Sequence, residues 1–158
     1  MDNMNTLNFL EKVLDKSTKY SRKLIFDKKY QLHLYLISLY YRIIELTHSC
    51  TILMREKIIS GVPIILRTML ETFADLKNLS ADENYINFMQ ASYLEEWLRL
   101  FKEAKDGDNP YLRKISQIGN LKQIYTELKK LKENHYTPLS HYKRFEKAEM
   151  VDEYRSII

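Results

Sequence analysis

The chain has 158 residues, which is long enough to bury a core and which predicts one domain over residues 1–158. Hydrophobic residues make up 45% and charged residues 29%, so the composition excludes an intrinsically disordered chain. A net charge of +4 is too small to require nucleic acid or an anionic surface as the partner. With only 3 Gly and 3 Pro, the frequent tight turns of a sheet protein are also excluded.

We therefore predict an all-α bundle of five or six helices that are mostly antiparallel to their neighbours. The polar N-terminus differs from a signal peptide, and the most apolar run, Leu34 to Tyr41, is far shorter than the roughly 20 residues that span a bilayer. Cys50 is the single cysteine and lies among apolar neighbours, as expected of a core residue in a reducing cytosol. The prediction is a cytoplasmic protein without a membrane partner, a cofactor or a metal.

The first helix is predicted from Thr6 towards Phe26. One side of it carries a row of lysines at spacings of four, three and four: Lys12, Lys16, Lys19 and Lys23. Such a row can bind a phosphate backbone, so RNA is one candidate partner. The common alternative is a solvated helix face without a ligand.

The second helix is predicted over Tyr30 to Arg55 and is apolar on nearly all sides, which is typical of a central, buried helix. Its few polar residues include Arg42 and Glu45, which share one face. The segment "RIIELTH" places Arg42 six residues before His48. This spacing resembles that of the HEPN superfamily, whose helical RNases use an Arg and a His a few residues apart, although Ile43 stands where a polar residue usually follows the Arg.

The third helix is expected to be capped by Ser60, with Pro63 in its first turn. Four of its polar residues fall on one stripe: Arg67, Glu71, Asp75 and Asn78. Counting back from the turn near residue 58 places Arg42 level with Asp75 and Glu45 level with Glu71. If the stripes of the two helices face each other, these charges form one polar patch. The alternative is that each stripe faces water and makes ordinary pairs within its own helix.

The remaining helices are bounded by loop signals. Asp82 is expected to cap a fourth helix, and a fifth is predicted from Asn109 and Pro110 to about Asn134. The last helix is predicted to begin near Phe145. Its apolar positions continue to the final residue: Val151, Tyr154, Ile157 and Ile158. Either this helix packs tightly or the chain was cut; we expect a cut and a domain that is incomplete at its C-terminus, which would form homo-oligomers or bind a protein partner through this stripe.

The segment "ILRTMLETFADLKNL" has an Arg-x3-Glu-x3-Asp-Leu pattern at Arg67, Glu71, Asp75 and Leu76. It resembles an uncharacterised bacterial family of all-helical domains of unknown function. The resemblance implies a helix bundle and marks Arg67 and Glu71 as site residues. In such proteins a segment like "EKAEMVDEYRSII" leads to a Leu-Ser motif with a nearby His. The sequence ends before such residues, and "PLSHY" (138–142) precedes that helix and is not counted, so the resemblance implies that this chain lacks the His and is inactive.

Two functions from different classes remain as expectations. The first is an RNA- or nucleotide-directed protein of the toxin or phage-defence type, with a metal-independent, RNase-like activity. In it Arg67 binds a phosphate, while Glu71 orients it or acts as the base. The second is a non-catalytic helical module for protein–protein interaction or dimerisation, in which the same charges fix how the helices pack.

Overall fold

The computed structural model describes residues 3–107 and 120–157, and in this part of the chain every regular element is a helix. Seven α-helices follow one another: α1 (Asn3–Ser21), α2 (Gln31–Arg55), α3 (Val62–Ala81), α4 (Tyr85–Asp106), α5 (Leu121–Glu133), α6 (His141–Lys147) and α7 (Val151–Arg155). A 3-10 turn, Ile59–Gly61, leads into α3. The predicted all-α fold is confirmed, and the described residues alone form seven α-helices where five or six were expected for the chain.

Several predicted helix ends were wrong. The first helix ends at Ser21, before Phe26. Ser60 lies inside the 3-10 turn, and Gly61 takes the cap position of α3 without a side chain to cap it. Asp82 follows the end of α3 and does not begin α4. The predicted start of the fifth helix, at residues 109 and 110, lies outside the described residues.

The chain divides into two compact units. One takes its described residues from Met1–Glu83 and His141–Ile158, and the other from Asn84–Ser140. In the second unit α4 packs against α5, with Ala91, Leu94 and Leu128 buried between them. The first unit contains α1, α2, α3, α6 and α7 and holds every residue of the candidate site below. The prediction of one domain over residues 1–158 stays a prediction.

Helices α2 and α3 reverse direction through a tight turn. Lys57 has a φ of 60°, and the N–H of Ile58 donates to the carbonyl of Leu53 at 2.8 Å, which closes the end of α2. The hydroxyl of Thr47 contacts the sulfur of Met69 at 3.3 Å. These two residues are equally far from residue 58, so the antiparallel register counted from the sequence is confirmed.

The buried cluster of the first unit lies under α6 and α7 and consists of Ala74, Phe145, Ala148 and Met150. Helix α2 is buried only around Leu46 and Cys50, while Leu34 and Tyr41 are exposed. Helix α2 is central as predicted, because it packs against both α1 and α3, but the prediction that it is buried on nearly all sides was wrong. Cys50 is buried, as predicted.

The last predicted helix is two short helices. Glu149 has a φ of 55°, and the N–H of Met150 donates to the carbonyl of Phe145 at 2.9 Å, which ends α6 and redirects the chain into α7. Tyr154 and Ile157 then pack against the buried cluster. Part of the predicted apolar stripe is thus buried within the first unit. Ile158 lies outside the described residues.

Candidate functional site

The polar stripe of α3 faces α6 and not α2. Arg67, Glu71, Asp75 and Asn78 contact residues of α6 or one another along this face. The α2 stripe points elsewhere, because Arg42 and Glu45 pair with each other at 3.8 Å and both are well exposed. Of the two arrangements that the sequence left open, facing stripes are not found: α2 and α3 have the counted register but meet through other faces. The expected ion pair between Arg67 and Glu71 is present within α3.

One carboxylate oxygen of Glu71 contacts two cationic or ionisable groups. The Nε of Arg67 donates to its Oε1 at 3.1 Å, as the four-residue spacing predicts. The Nδ1 of His141 lies 3.4 Å from the same oxygen. The Glu71 side chain is only 20% exposed, whereas those of Arg67 and His141 are 48% and 53% exposed. The acid is thus partly enclosed, and the groups it orients reach solvent. We call these three residues the Glu71 cluster.

A second set of contacts fixes α6 onto α3 one to two turns after Glu71 along α3. Arg144 donates from Nε to Oδ1 of Asp75 at 2.9 Å and from Nη2 to Oδ2. The amide of Asn78, which is buried, donates from Nδ2 to the backbone carbonyl of Arg144 at 2.9 Å. Because Arg144 follows His141 by three residues on the same helix, these bonds also hold His141 over Glu71.

His141 is the site residue that the sequence analysis missed. It belongs to "PLSHY", where Leu139, Ser140 and His141 form a Leu-Ser-His order. That segment was set aside because it precedes the last predicted helix. The structure instead starts α6 at His141 and places the imidazole beside Glu71. The inactivity that the resemblance implied rested on a missing His, and a His is in contact with Glu71.

The other predicted binding residues lie apart from the Glu71 cluster. The lysine row of Lys12, Lys16, Lys19 and Lys23 is exposed, and Lys23 lies beyond the end of α1. Within the described part of the chain no hydrogen bond or ion pair joins these lysines to the cluster, nor Arg42 to His48.

Neither a metal site nor a membrane span is found in the part of the chain that the structure describes. There, no group of three or more His, Cys, Asp or Glu side chains is placed to hold a metal ion. None of the described helices has both the length and the apolar character needed to cross a bilayer.

Comparison with protein families places most of the chain in one of them. The model of a family of unknown function, DUF5677, matches residues 33–157. The chain therefore belongs to this family, and the match contains all the residues of the Glu71 cluster and of the Asp75–Arg144 pair. Neither the curated proteins nor the solved structures contain a match to this chain.

Proposed function

We propose that the Glu71 cluster is a metal-independent site that acts on a phosphodiester, and that the protein is RNA- or nucleotide-directed, of the toxin or phage-defence type. The observation that carries this proposal is the shared contact of Arg67 and His141 with one oxygen of Glu71. That oxygen orients a phosphate-binding group and a proton-transfer group together, side by side at the surface.

Arg67 supplies the anion-binding group. Its Nε is engaged by Glu71, and neither Nη atom has a hydrogen-bond partner among the described residues. A guanidinium presents its donors in a fixed plane, and two of them match two oxygens of a phosphate. Glu71 therefore fixes the plane of the guanidinium and leaves its outer edge for a substrate.

His141 supplies the proton-transfer group. In this proposal the Nδ1 of His141, which lies 3.4 Å from Glu71, holds the ring proton, and the lone pair of Nε2 takes a substrate proton. On RNA, Nε2 takes the proton of a 2′-hydroxyl, the 2′-oxygen attacks the neighbouring phosphorus, and the bond to the 5′-oxygen breaks. The 5′-oxygen leaves with a proton from water, and the imidazolium returns its proton to the hydroxide that remains. The products are a 2′,3′-cyclic phosphate and a 5′-hydroxyl end. Glu71 stabilises the imidazolium that forms.

The test is cleavage of labelled single-stranded RNA in the presence of a metal chelator. His141→Gln and Arg67→Ala are each expected to lower the rate by about 10²-fold or more, the usual effect of removing an acid–base or charge-stabilising group. The matched control is Arg42→Ala/His48→Ala, because this pair is exposed on α2 and resembles the HEPN spacing. It is expected to cleave like the wild type, and the new ends are expected to be cyclic phosphates.

Three results would reject the proposal: a wild type that cleaves neither RNA nor nucleotides, activity that needs an added metal, or a control variant that loses activity while His141→Gln keeps it. The last result would move the site to Arg42 and His48.

A second function is favoured by the contacts that Asp75 and Asn78 make with α6 on the same face of α3. The Asp75–Arg144 pair and the Asn78 bond hold α6 in place without any ligand, as expected of charges that fix helix packing in a protein–protein interaction module. This candidate predicts that Arg67→Ala and His141→Gln change no activity and that a binding partner is retained by both variants.

A further inference from the structure

The outward face of α1 carries apolar side chains that the described residues leave partly exposed. Phe9, Val13 and Tyr20 follow one another at spacings of four and seven residues, so they lie on one face of the helix. All three are exposed, Phe9 by 63%. The inner side of α1 is attached to α2, where the hydroxyl of Tyr40 donates to the carbonyl of Ser17 at 3.1 Å. The outer face is therefore free while the helix itself is held in place.

The loop after α1 extends this apolar surface. Leu24, Ile25 and Phe26 follow the helix, and Ile25 is 99% exposed. A fully exposed isoleucine between two other exposed apolar residues is unusual on a surface that only meets water. Leu24, Ile25 and Phe26 also line an open pocket together with residues of α2 and α3, so the apolar loop lies beside an apolar opening of the same unit.

Cations flank these apolar residues along one side of α1 and in the loop after it. The segment from α1 through the loop carries Lys12, Lys16, Lys19, Arg22, Lys23, Lys28 and Lys29. All of them are exposed, and none forms an ion pair with another described residue. Elsewhere many cations are paired, such as Arg55 with Glu11 and Lys132 with Glu95. Residues 1–30 hold seven Lys or Arg against four Asp or Glu, and so contribute three of the four net positive charges.

We propose that the outer face of α1 and the loop after it form a peripheral binding surface for a bilayer containing anionic lipids. The apolar side chains enter the boundary between headgroups and acyl chains, and the surrounding lysines pair with lipid phosphates. RNA fits this surface less well, because bases bind by stacking on rings and three of its six apolar side chains, Val13, Leu24 and Ile25, have none. This binding is independent of the Glu71 cluster and departs from the absence of a membrane partner expected from the sequence.

The experiment measures co-sedimentation of the full chain with vesicles. The vesicles are phosphatidylcholine alone or phosphatidylcholine with about one third phosphatidylglycerol, at low and physiological salt. Ile25→Asp removes the apolar tip, and Ile64→Asp is its control because Ile64 is an exposed isoleucine on α3. Lys16→Glu/Lys19→Glu reverses the cationic row, and Lys105→Glu/Lys130→Glu is its control because both lysines are exposed in the other unit.

The wild type is expected to sediment with the anionic vesicles and not with the neutral ones. Ile25→Asp and Lys16→Glu/Lys19→Glu are each expected to weaken this binding by about tenfold or more, and both controls are expected to bind like the wild type. Unchanged circular dichroism melts show that the variants are folded. A wild type that does not bind anionic vesicles overturns the proposal. So do control variants that lose as much binding as Ile25→Asp and Lys16→Glu/Lys19→Glu. Binding of labelled RNA that survives in Ile25→Asp, with no vesicle binding, assigns the cations to nucleic acid instead.

Discussion

Arg144 donates through two nitrogens to the carboxylate of Asp75, which precedes it by 69 residues. Both side chains are largely withdrawn from solvent. This contact fixes α6 on α3 and sets the position of His141 one turn away on the same helix. The position of the proposed catalytic His141 therefore depends on a structural ion pair outside the Glu71 cluster.

Replacing Arg144 by Ala should lower the free energy of unfolding by about 1–3 kcal/mol. The loss leaves the largely enclosed Asp75 carboxylate without the Arg144 cation, and the remaining exposure of the two side chains keeps the cost below that of a fully buried pair. Urea unfolding followed by circular dichroism measures it. Arg155→Ala is the control, because its partner Asp152 is 93% exposed, and it should change stability by no more than about 0.5 kcal/mol. Equal losses in the two variants would show that the Asp75 contact does not anchor α6.

The part of this site within α3 could be predicted from the sequence, and the part supplied by α6 could not. The spacing of Arg67, Glu71 and Asp75 places them on one helix face whatever packs against it. The count from the turn likewise fixed the register of α2 on α3, seen at Thr47 and Met69. Periodicity within a helix does not say which distant element covers that face. The sequence offered the stripe of α2 or solvent as what faces α3, whereas the residues that contact it lie more than 60 positions away in α6.

Helix ends were also hard to predict because three helices here end at a positive φ without glycine. Lys57, His135 and Glu149 each take a positive φ, and in each case the next N–H bonds back to the helix. The usual signal for such an end is Gly, and with only 3 Gly in the chain it is missing at all three positions. The division between α6 and α7 at Glu149 was unseen for this reason.

Replacing Lys57 by Gly should raise the free energy of unfolding by about 0.5–1 kcal/mol. Lys57 has a φ of 60°, where a side chain with a Cβ is strained and glycine is not. Lys57→Ala is the control, since it removes the charge and keeps the Cβ, and it should leave stability nearly unchanged. Thermal and urea melts of the three proteins make the comparison. A stabilised Ala variant, or a destabilised Gly variant, would contradict a strained turn.

The stability of the wild type should fall more steeply above pH 8 than that of Cys50→Ala. Burial raises the pKa of the Cys50 thiol, because the thiolate is disfavoured away from water. The unfolded chain therefore loses its thiol proton first as pH rises, so stability present below the ordinary thiol pKa is lost above it. Urea midpoints at neutral and alkaline pH give the two slopes. All other ionisable groups are the same in both proteins, so the difference between their two slopes reports Cys50 alone. Parallel slopes would show that the thiol is not desolvated.

Tyr154 tests whether the last helix belongs to the folded unit or serves association. Its ring lies 5.2 Å from that of Phe145 and 5.8 Å from that of Tyr142, and with Ile157 it packs on the buried cluster. Tyr154→Ala should therefore lower the free energy of unfolding by about 2–4 kcal/mol, through lost burial and the cavity left behind. Tyr93→Ala, an exposed tyrosine on α4, is the control with an expected change below about 1 kcal/mol.

Light scattering of the same proteins at matched concentration separates the two roles of the last helix. A wild type that is monomeric, with Tyr154→Ala destabilised, places α7 in the core of the first unit. A wild type that is dimeric, with Tyr154→Asp/Ile157→Asp monomeric and melting like the wild type, would instead support the association predicted from the sequence. The contacts of Tyr154 with Phe145 and Tyr142 favour the first outcome. An aspartate at position 154 or 157 would place an unpaired charge against the apolar cluster and would destabilise the fold.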